Sequence, residues 1–198
     1  HGEALFREPP TTECPICFLP FPTLATQRKY QTCCGKLICI GCIHGVYTGD
    51  VRILCPFCRD PQPTSASDSF ERMKKRAEQG DDAIAINQLG AHYHNGGGGL
   101  QRDDHKALGL FLRAGELGYA EAYHNVARVY YHGRGVERDA KKAKYYWELA
   151  AIGGNVDARH SLGVWEGKAG NMKRAVKHFM ISAGAGHDDS LQKIRECF

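Results

Sequence analysis

The chain has 198 residues, of which 42% are hydrophobic and 24% charged, and a formal charge of +4. That length allows one medium domain or two small ones, and no apolar run approaches the roughly 20 residues of a membrane-spanning helix, so no membrane span is expected. No basic stretch followed by an apolar one opens the chain at His1-Gly2-Glu3, and because it does not begin with Met, further sequence is expected upstream.

Residues 1–12 read as a short flexible lead and residues 13–60 as a cysteine-rich module. Of nine cysteines, eight precede residue 59; the ninth, Cys197, reads as a spare thiol. Three pairs have the Cys-x-x-Cys spacing of zinc ligands. With no secretory context, this points to metal thiolates in a reducing compartment, cytoplasmic or nuclear, rather than to disulfides. Four ligands per ion give two closed, structural zinc sites with no open position for water. Eight thiolates and two Zn²⁺ would bring the formal charge to zero, which leaves no basic excess to attract nucleic acid. Sequential sites would join Cys14, Cys17, Cys33 and Cys34, then Cys39, Cys42, Cys55 and Cys58. Interleaved sites would join Cys14 and Cys17 to Cys39 and Cys42, and Cys33 and Cys34 to Cys55 and Cys58. Spacing alone does not decide between them, and His44 is an alternative to one member of the Cys33–Cys34 pair.

The Pro- and Ser-rich stretch over 61–68 reads as a linker. Asp68 and Glu71 then resemble a capping box, with Phe70, Met73 and Ala77 at helical spacing and Gly80 as the stop. From residue 81 the chain repeats. Ala85, Ala122 and Ala158 recur at intervals of 37 and 36 residues; Ala107, Ala143 and Ala175 recur at 36 and 32. Each copy carries two apolar-periodic helices around a loop, giving pairs near 83–94 and 104–117, 120–132 and 139–152, and 156–168 and 172–184. Asp188 to Phe198 begins a further helix that serves as a terminal cap. Most of tyrosines 93, 123, 130, 131, 145 and 146 are placed to fill the core between helices, and the histidines to pack or face solvent.

The motif Gly133-Arg134-Gly135-Val136-x-x-Asp139, with Lys142-Ala143 and Trp147 to Ala151, resembles the Sel-one-like repeat, a cousin of the tetratricopeptide repeat. The resemblance covers about residues 69–198, some three repeats and a cap. The third copy has a loop four residues shorter and lacks the Gly-x-Gly-Val signature.

Cys34-Gly35-Lys36-Leu37-Ile38-Cys39-Ile40-Gly41-Cys42-Ile43 and Cys55-Pro56-Phe57-Cys58-Arg59 resemble the RING finger in an all-cysteine form. Lys36 stands where that family usually has a histidine. The resemblance implies the interleaved pairing: Cys14, Cys17, Cys39 and Cys42 at one zinc, and Cys33, Cys34, Cys55 and Cys58 at the other. Lys29, Lys36, Arg52 and Arg59 lie near to moderate the thiolate charge.

The expected fold is thus a small zinc-stabilised α+β domain followed by an all-α repeat solenoid. The resemblance also implies a ubiquitin ligase module that recruits a ubiquitin-conjugating enzyme carrying ubiquitin and acts without a covalent step. Ile16, Val46 and Pro56 would form the partner-binding groove, and Arg59 would contact both enzyme and ubiquitin. The repeats would bind a protein substrate or adaptor. The competing expectation is a zinc-binding scaffold without ligase activity, which Lys36 and the small Val46 favour.

Overall fold

The computed structural model describes residues 4–6, 12–21, 27–46 and 54–196, with the backbone alone at Ala4 and Val46. Arg52 and Cys197 lie outside the described residues. Strand β1 (Arg28–Tyr30) pairs antiparallel with β2 (Leu37–Cys39), in the register Arg28 to Cys39, and a short helix α1 (Ile40–Val46) follows directly. Buried Cys14, Ile38, Ile43 and Cys55 form the small core of this module.

Helix α2 (Ala66–Gln79) buries Phe70, Met73 and Ala77 and ends at Gly80 with φ 100°. Its start lies earlier than the Asp68 cap and 61–68 linker read from sequence. The Ser65 side chain accepts from the Asp68 N–H at 3.0 Å, and the Asp68 carboxylate accepts from the Thr64 N–H at 3.1 Å. The reciprocal cap is therefore Ser65 with Asp68, and the last three linker residues belong to the helix.

Three helical hairpins follow: α3 (Ala83–Asn95) with α4 (Asp104–Glu116), α5 (Ala120–His132) with α6 (Ala140–Ile152), and α7 (Val156–Lys168) with α8 (Met172–Gly184). Helix α9 (Asp188–Glu196) packs on α8. The first two hairpin loops repeat one solution. Gly96 and Gly133 close the first helix at φ 70° and 69°, a conformation that costs glycine little. Asp103 and Asp139 then cap the second helix, accepting from the N–H of Lys106 and Lys142 at 2.9 Å each. In the third, shorter loop Asn171 stands at the cap without capping. Its amide donates instead to Glu166 Oε2 at 2.8 Å.

A small residue on the first helix faces an aromatic on the second. A Cβ added at Gly90 would lie 2.8 Å from the Phe111 ring, and one at Gly163 would lie 2.6 Å from the Phe179 ring. Ala127 and Trp147 hold the corresponding positions in the middle repeat and share one buried cluster. Tyr123 and Tyr130 stack on Tyr146, with ring centroids 5.9 and 5.8 Å apart, between the two helices of the middle hairpin. Tyr145 is the one of the six tyrosines that stands outside the core. It is 51% exposed, because the stacked face of α6 belongs to Tyr146.

The lead also departs from expectation. Ala4–Phe6 forms a 3₁₀ turn against α6, and Leu5 is only 1% exposed. Two consecutive large apolar residues meet an open groove of the solenoid, and their burial outweighs the freedom of so short a segment.

Because the Phe179 ring is itself buried, it has no room to yield. Gly163→Val should therefore destabilise the repeats by about 1–3 kcal/mol, read as a lower urea midpoint of the helical circular dichroism signal.

Candidate functional site

The Sγ atoms of Cys14, Cys17, Cys39 and Cys42 lie within 4.8 Å of one another, as do those of Cys33, Cys34, Cys55 and Cys58. His44 is exposed and belongs to neither group. All eight of these cysteines are free. A tetrahedron with roughly 2.3 Å zinc–sulfur bonds has sulfur–sulfur edges of about 3.8 Å, against about 2.05 Å for a disulfide. The distances are 3.9 Å for Cys14–Cys42 and 3.8 Å for Cys17–Cys39 in the first group. In the second they are 3.8 Å for Cys34–Cys55 and 3.4 Å for Cys33–Cys58. The donor sets thus fit a thiophilic divalent cation.

The protonation pattern points the same way. Burial raises the Cys14 thiol, but the backbone N–H groups of Cys39, Cys17 and Ile16 outweigh it and bring it down to about 6. Cys42 is pushed up to about 12, first by its hydrogen bond with Cys39 and then by desolvation. In the second group burial raises Cys34 to about 11, and it raises Cys33 further. Crowded thiolates repel, so protons alone leave a thiolate among neutral thiols. A dication lets all four ionise together.

Both groups rest on the same backbone knuckle. The N–H of Cys14 bonds the carbonyl of Leu19 at 3.0 Å, and that of Cys55 bonds the carbonyl of Asp60 at 2.7 Å. The residue after each second cysteine is left-handed, Phe18 at φ 57° and Arg59 at φ 62°, and its N–H returns to the Cys14 or Cys55 carbonyl at 2.9 and 3.0 Å. This turn aims successive N–H groups at the sulfurs.

The knuckles also lift side chains into solvent. Phe18 is 72% exposed, Leu19 64% and Phe57 45%. Ile16 is half-buried against the module core, Pro56 is half-buried, and Arg59 is exposed. The Val46 side chain lies outside the described residues, so no partner role can be placed there. Phe18, Leu19 and Phe57 were missed by sequence reasoning. The available signal was their offset from the cysteines, since Phe57 matches Ile16 and Phe18 matches Arg59 on the paired knuckle. Lys36 is exposed beside the second group, its backbone N–H at Cys34, and Lys29 is exposed on β1 opposite Ile38.

A polar knot ties the module to the solenoid. The Tyr30 hydroxyl donates to Asp82 Oδ2 at 2.6 Å, and Arg76 Nε donates to the same oxygen at 2.7 Å. Arg76 Nη1 reaches the carbonyl of Cys33 at 3.5 Å. Asp82 Oδ1 meanwhile accepts from the Ala85 N–H at 3.0 Å and caps α3. Gln62 adds a bond to buried Gln31 at 2.9 Å, and Arg72 binds the Pro61 carbonyl at 2.8 Å. Burial, then the neighbouring Asp82, holds the Tyr30 hydroxyl far above its ordinary range, so it stays a donor.

Comparison with known proteins identifies the helical part. The family model described as Sel1 repeat matches residues 83–119 and 120–155. A curated relative, the ERAD-associated E3 ubiquitin-protein ligase component HRD3B of Arabidopsis thaliana, is 31% identical over 112 residues. The match takes in 56% of this chain and only 17% of the relative. A Sel1 repeat protein from Oxalobacter formigenes superposes with TM-score 0.61 at 25% identity, over 65% of this chain and 54% of its own. The protective antigen c5321 of uropathogenic Escherichia coli, which displays an SLR fold, gives TM-score 0.59 at 25% identity over 68% and 29%. Residues 83–155 match the Sel1 repeat, and the helical part as a whole has the fold of a Sel1-like repeat solenoid. No described helix is long and apolar enough to cross a membrane.

Asp82→Ala should cost about 2 kcal/mol or more. About 1 kcal/mol is the lost helix cap, and the rest comes from the abandoned Tyr30 and Arg76. The check is urea unfolding followed by circular dichroism, with Asp81→Ala, a neighbouring carboxylate outside the knot, as the control.

Proposed function

We propose that this chain is a RING-type ubiquitin ligase module whose Sel1 repeats carry the protein-binding arm. The observation that carries the reading is the pair of interleaved four-sulfur groups, each ending in a knuckle that presents an exposed side chain. Cys14, Cys17, Cys39 and Cys42 would hold one Zn²⁺, and Cys33, Cys34, Cys55 and Cys58 the other. The ions would neutralise the thiolates and cross-link the loops, and the closed ligand sets leave them no role as Lewis acids toward substrate.

The chemistry then belongs to the surface. Ile16, Pro56 and Phe57, joined by Phe18 and Leu19, are the apolar side chains that the two knuckles would offer to a ubiquitin-conjugating enzyme. Exposed apolar side chains gathered on so small a module are the mark of an interaction site. Arg59 is held by its left-handed backbone beside the second group, with a planar guanidinium free to donate to carbonyls of enzyme and ubiquitin together. Such donors accelerate transfer by fixing the thioester in a reactive geometry. The relative HRD3B is described as an E3 ligase component, which supports a setting in ubiquitin transfer.

A second reading, a zinc-binding scaffold without ligase activity, is favoured by Lys36 at the position of the usual histidine. Protein–protein interaction through the repeats is common to both readings.

Purified protein should contain two zinc ions per chain by atomic absorption, and one or none overturns the metal assignment. With a panel of ubiquitin-conjugating enzymes the wild-type chain should form ubiquitin chains. Ile16→Ala and Arg59→Ala should each lower that rate tenfold or more while keeping both ions. A wild-type protein with two zincs and no ubiquitin chains from any enzyme of the panel would leave the scaffold reading standing.

A further inference from the structure

We propose that the groove between α6 and α8 is a peptide-recognition site for a large aliphatic residue followed by an aromatic one. Leu5 and Phe6 fill it from within the same chain, and a partner segment of the same chemistry competes for it. The inference rests on reading the repeats as the protein-binding arm, and it is independent of ubiquitin transfer.

The docked segment supplies the specificity. The Leu5 side chain joins Ala143, Trp147, Ala150 and Ala151 of α6 and Ala158 and Leu162 of α7 in one buried cluster. Its carbonyl accepts from Arg159 Nη1 at 2.6 Å, a contact between residues 154 positions apart. The Phe6 ring lies 5.0 Å from the His178 ring, tilted by 38°, with Lys177 Nζ 5.8 Å from its centroid. The groove thus has an apolar slot, a guanidinium that reads main chain, and a cation-flanked ring that reads an aromatic side chain.

The repeats themselves show that this groove is built differently. Counted from the recurrent alanines, Arg159 stands where the earlier copies have Ile86 and Tyr123, and His178 where they have Leu110 and Tyr146. One groove earlier, Tyr123 and Tyr146 stack on each other at 5.9 Å. The third repeat gives up both apolar side chains at those positions and places there an arginine 2% exposed and a histidine 0% exposed. Burying a guanidinium is costly unless its donors are met, and neither ring nitrogen of His178 has a partner among the described residues. Polar groups set at this depth do not improve self-packing. They suit a ligand that brings a carbonyl and a ring.

The internal segment is short and tethered. Its effective concentration is on the order of millimolar, which sets a threshold a free peptide must exceed without barring exchange.

The test is fluorescence anisotropy with a labelled peptide of residues 1–10 and two full-length proteins, wild type and L5A/F6A. The peptide should bind L5A/F6A at least tenfold more tightly than wild type, and a Phe6→Ala peptide should lose that gain. Equal affinity for both proteins, or no binding to folded L5A/F6A, overturns the proposal. Should L5A/F6A lose its helical signal, the milder Phe6→Ala protein takes its place. A gain of threefold or more is expected there, and equal affinity would again overturn the proposal. Neither ubiquitin nor a conjugating enzyme enters the assay, so its failure leaves the ligase reading untouched, and failure of that reading leaves this result standing.

Discussion

The Asp82 carboxylate fixes how the two parts of this protein sit together. One oxygen caps the start of the first repeat helix, and the other collects a phenol from the strand and a guanidinium from α2. The same guanidinium reaches the carbonyl of Cys33, a member of the second sulfur group. A single half-buried anion therefore joins strand, helix, repeat and cysteine cluster. It is electrostatically satisfied because Arg76 is charged at every relevant pH and Tyr30 is held as a neutral donor. The apolar side chains on the knuckles are thereby held in a set relation to the solenoid.

Beyond that knot the solenoid is a problem of complementary volumes. Gly90, Ala127 and Gly163 leave room that Phe111, Trp147 and Phe179 fill, and the hairpins close to the distance these pairs allow. Buried charge is admitted where partners converge. Glu166, 2% exposed, has Lys144 at 3.2 Å and Arg174 at 3.3 Å. Burial raises its pKa, but Asn171 and these cations bring it below the ordinary carboxylate range.

Much of this architecture was legible in the sequence because it is periodic. The recurrent alanines and the Gly-to-Asp loops fix helix lengths locally, and the hairpins follow them closely. The cysteine spacing likewise named the eight sulfurs, while leaving their grouping to family resemblance. What escaped had no period. Ser65 rather than Asp68 begins α2 because a hydroxyl reached a backbone N–H first. Tyr30, Arg76 and Asp82 are unremarkable residues until folding joins positions about 50 apart. Phe18 and Phe57 look like core residues by composition, and only the turn of each knuckle turns them outward. Leu5 and Phe6 belong to a stretch too short to carry any pattern, and their partners lie at the far end of the chain.

That last contact sets an order of events during synthesis. Hairpins whose partners are close in sequence form as soon as both helices are available. Leu5 and Phe6 leave the ribosome long before Arg159 and His178, and at about 5–20 residues per second the delay is on the order of 10–30 s. Through that interval two adjacent apolar residues stand without the groove that buries them. A segment made well before its partners is among the last to find its place, and whatever meets it in the meantime does so before its own groove exists.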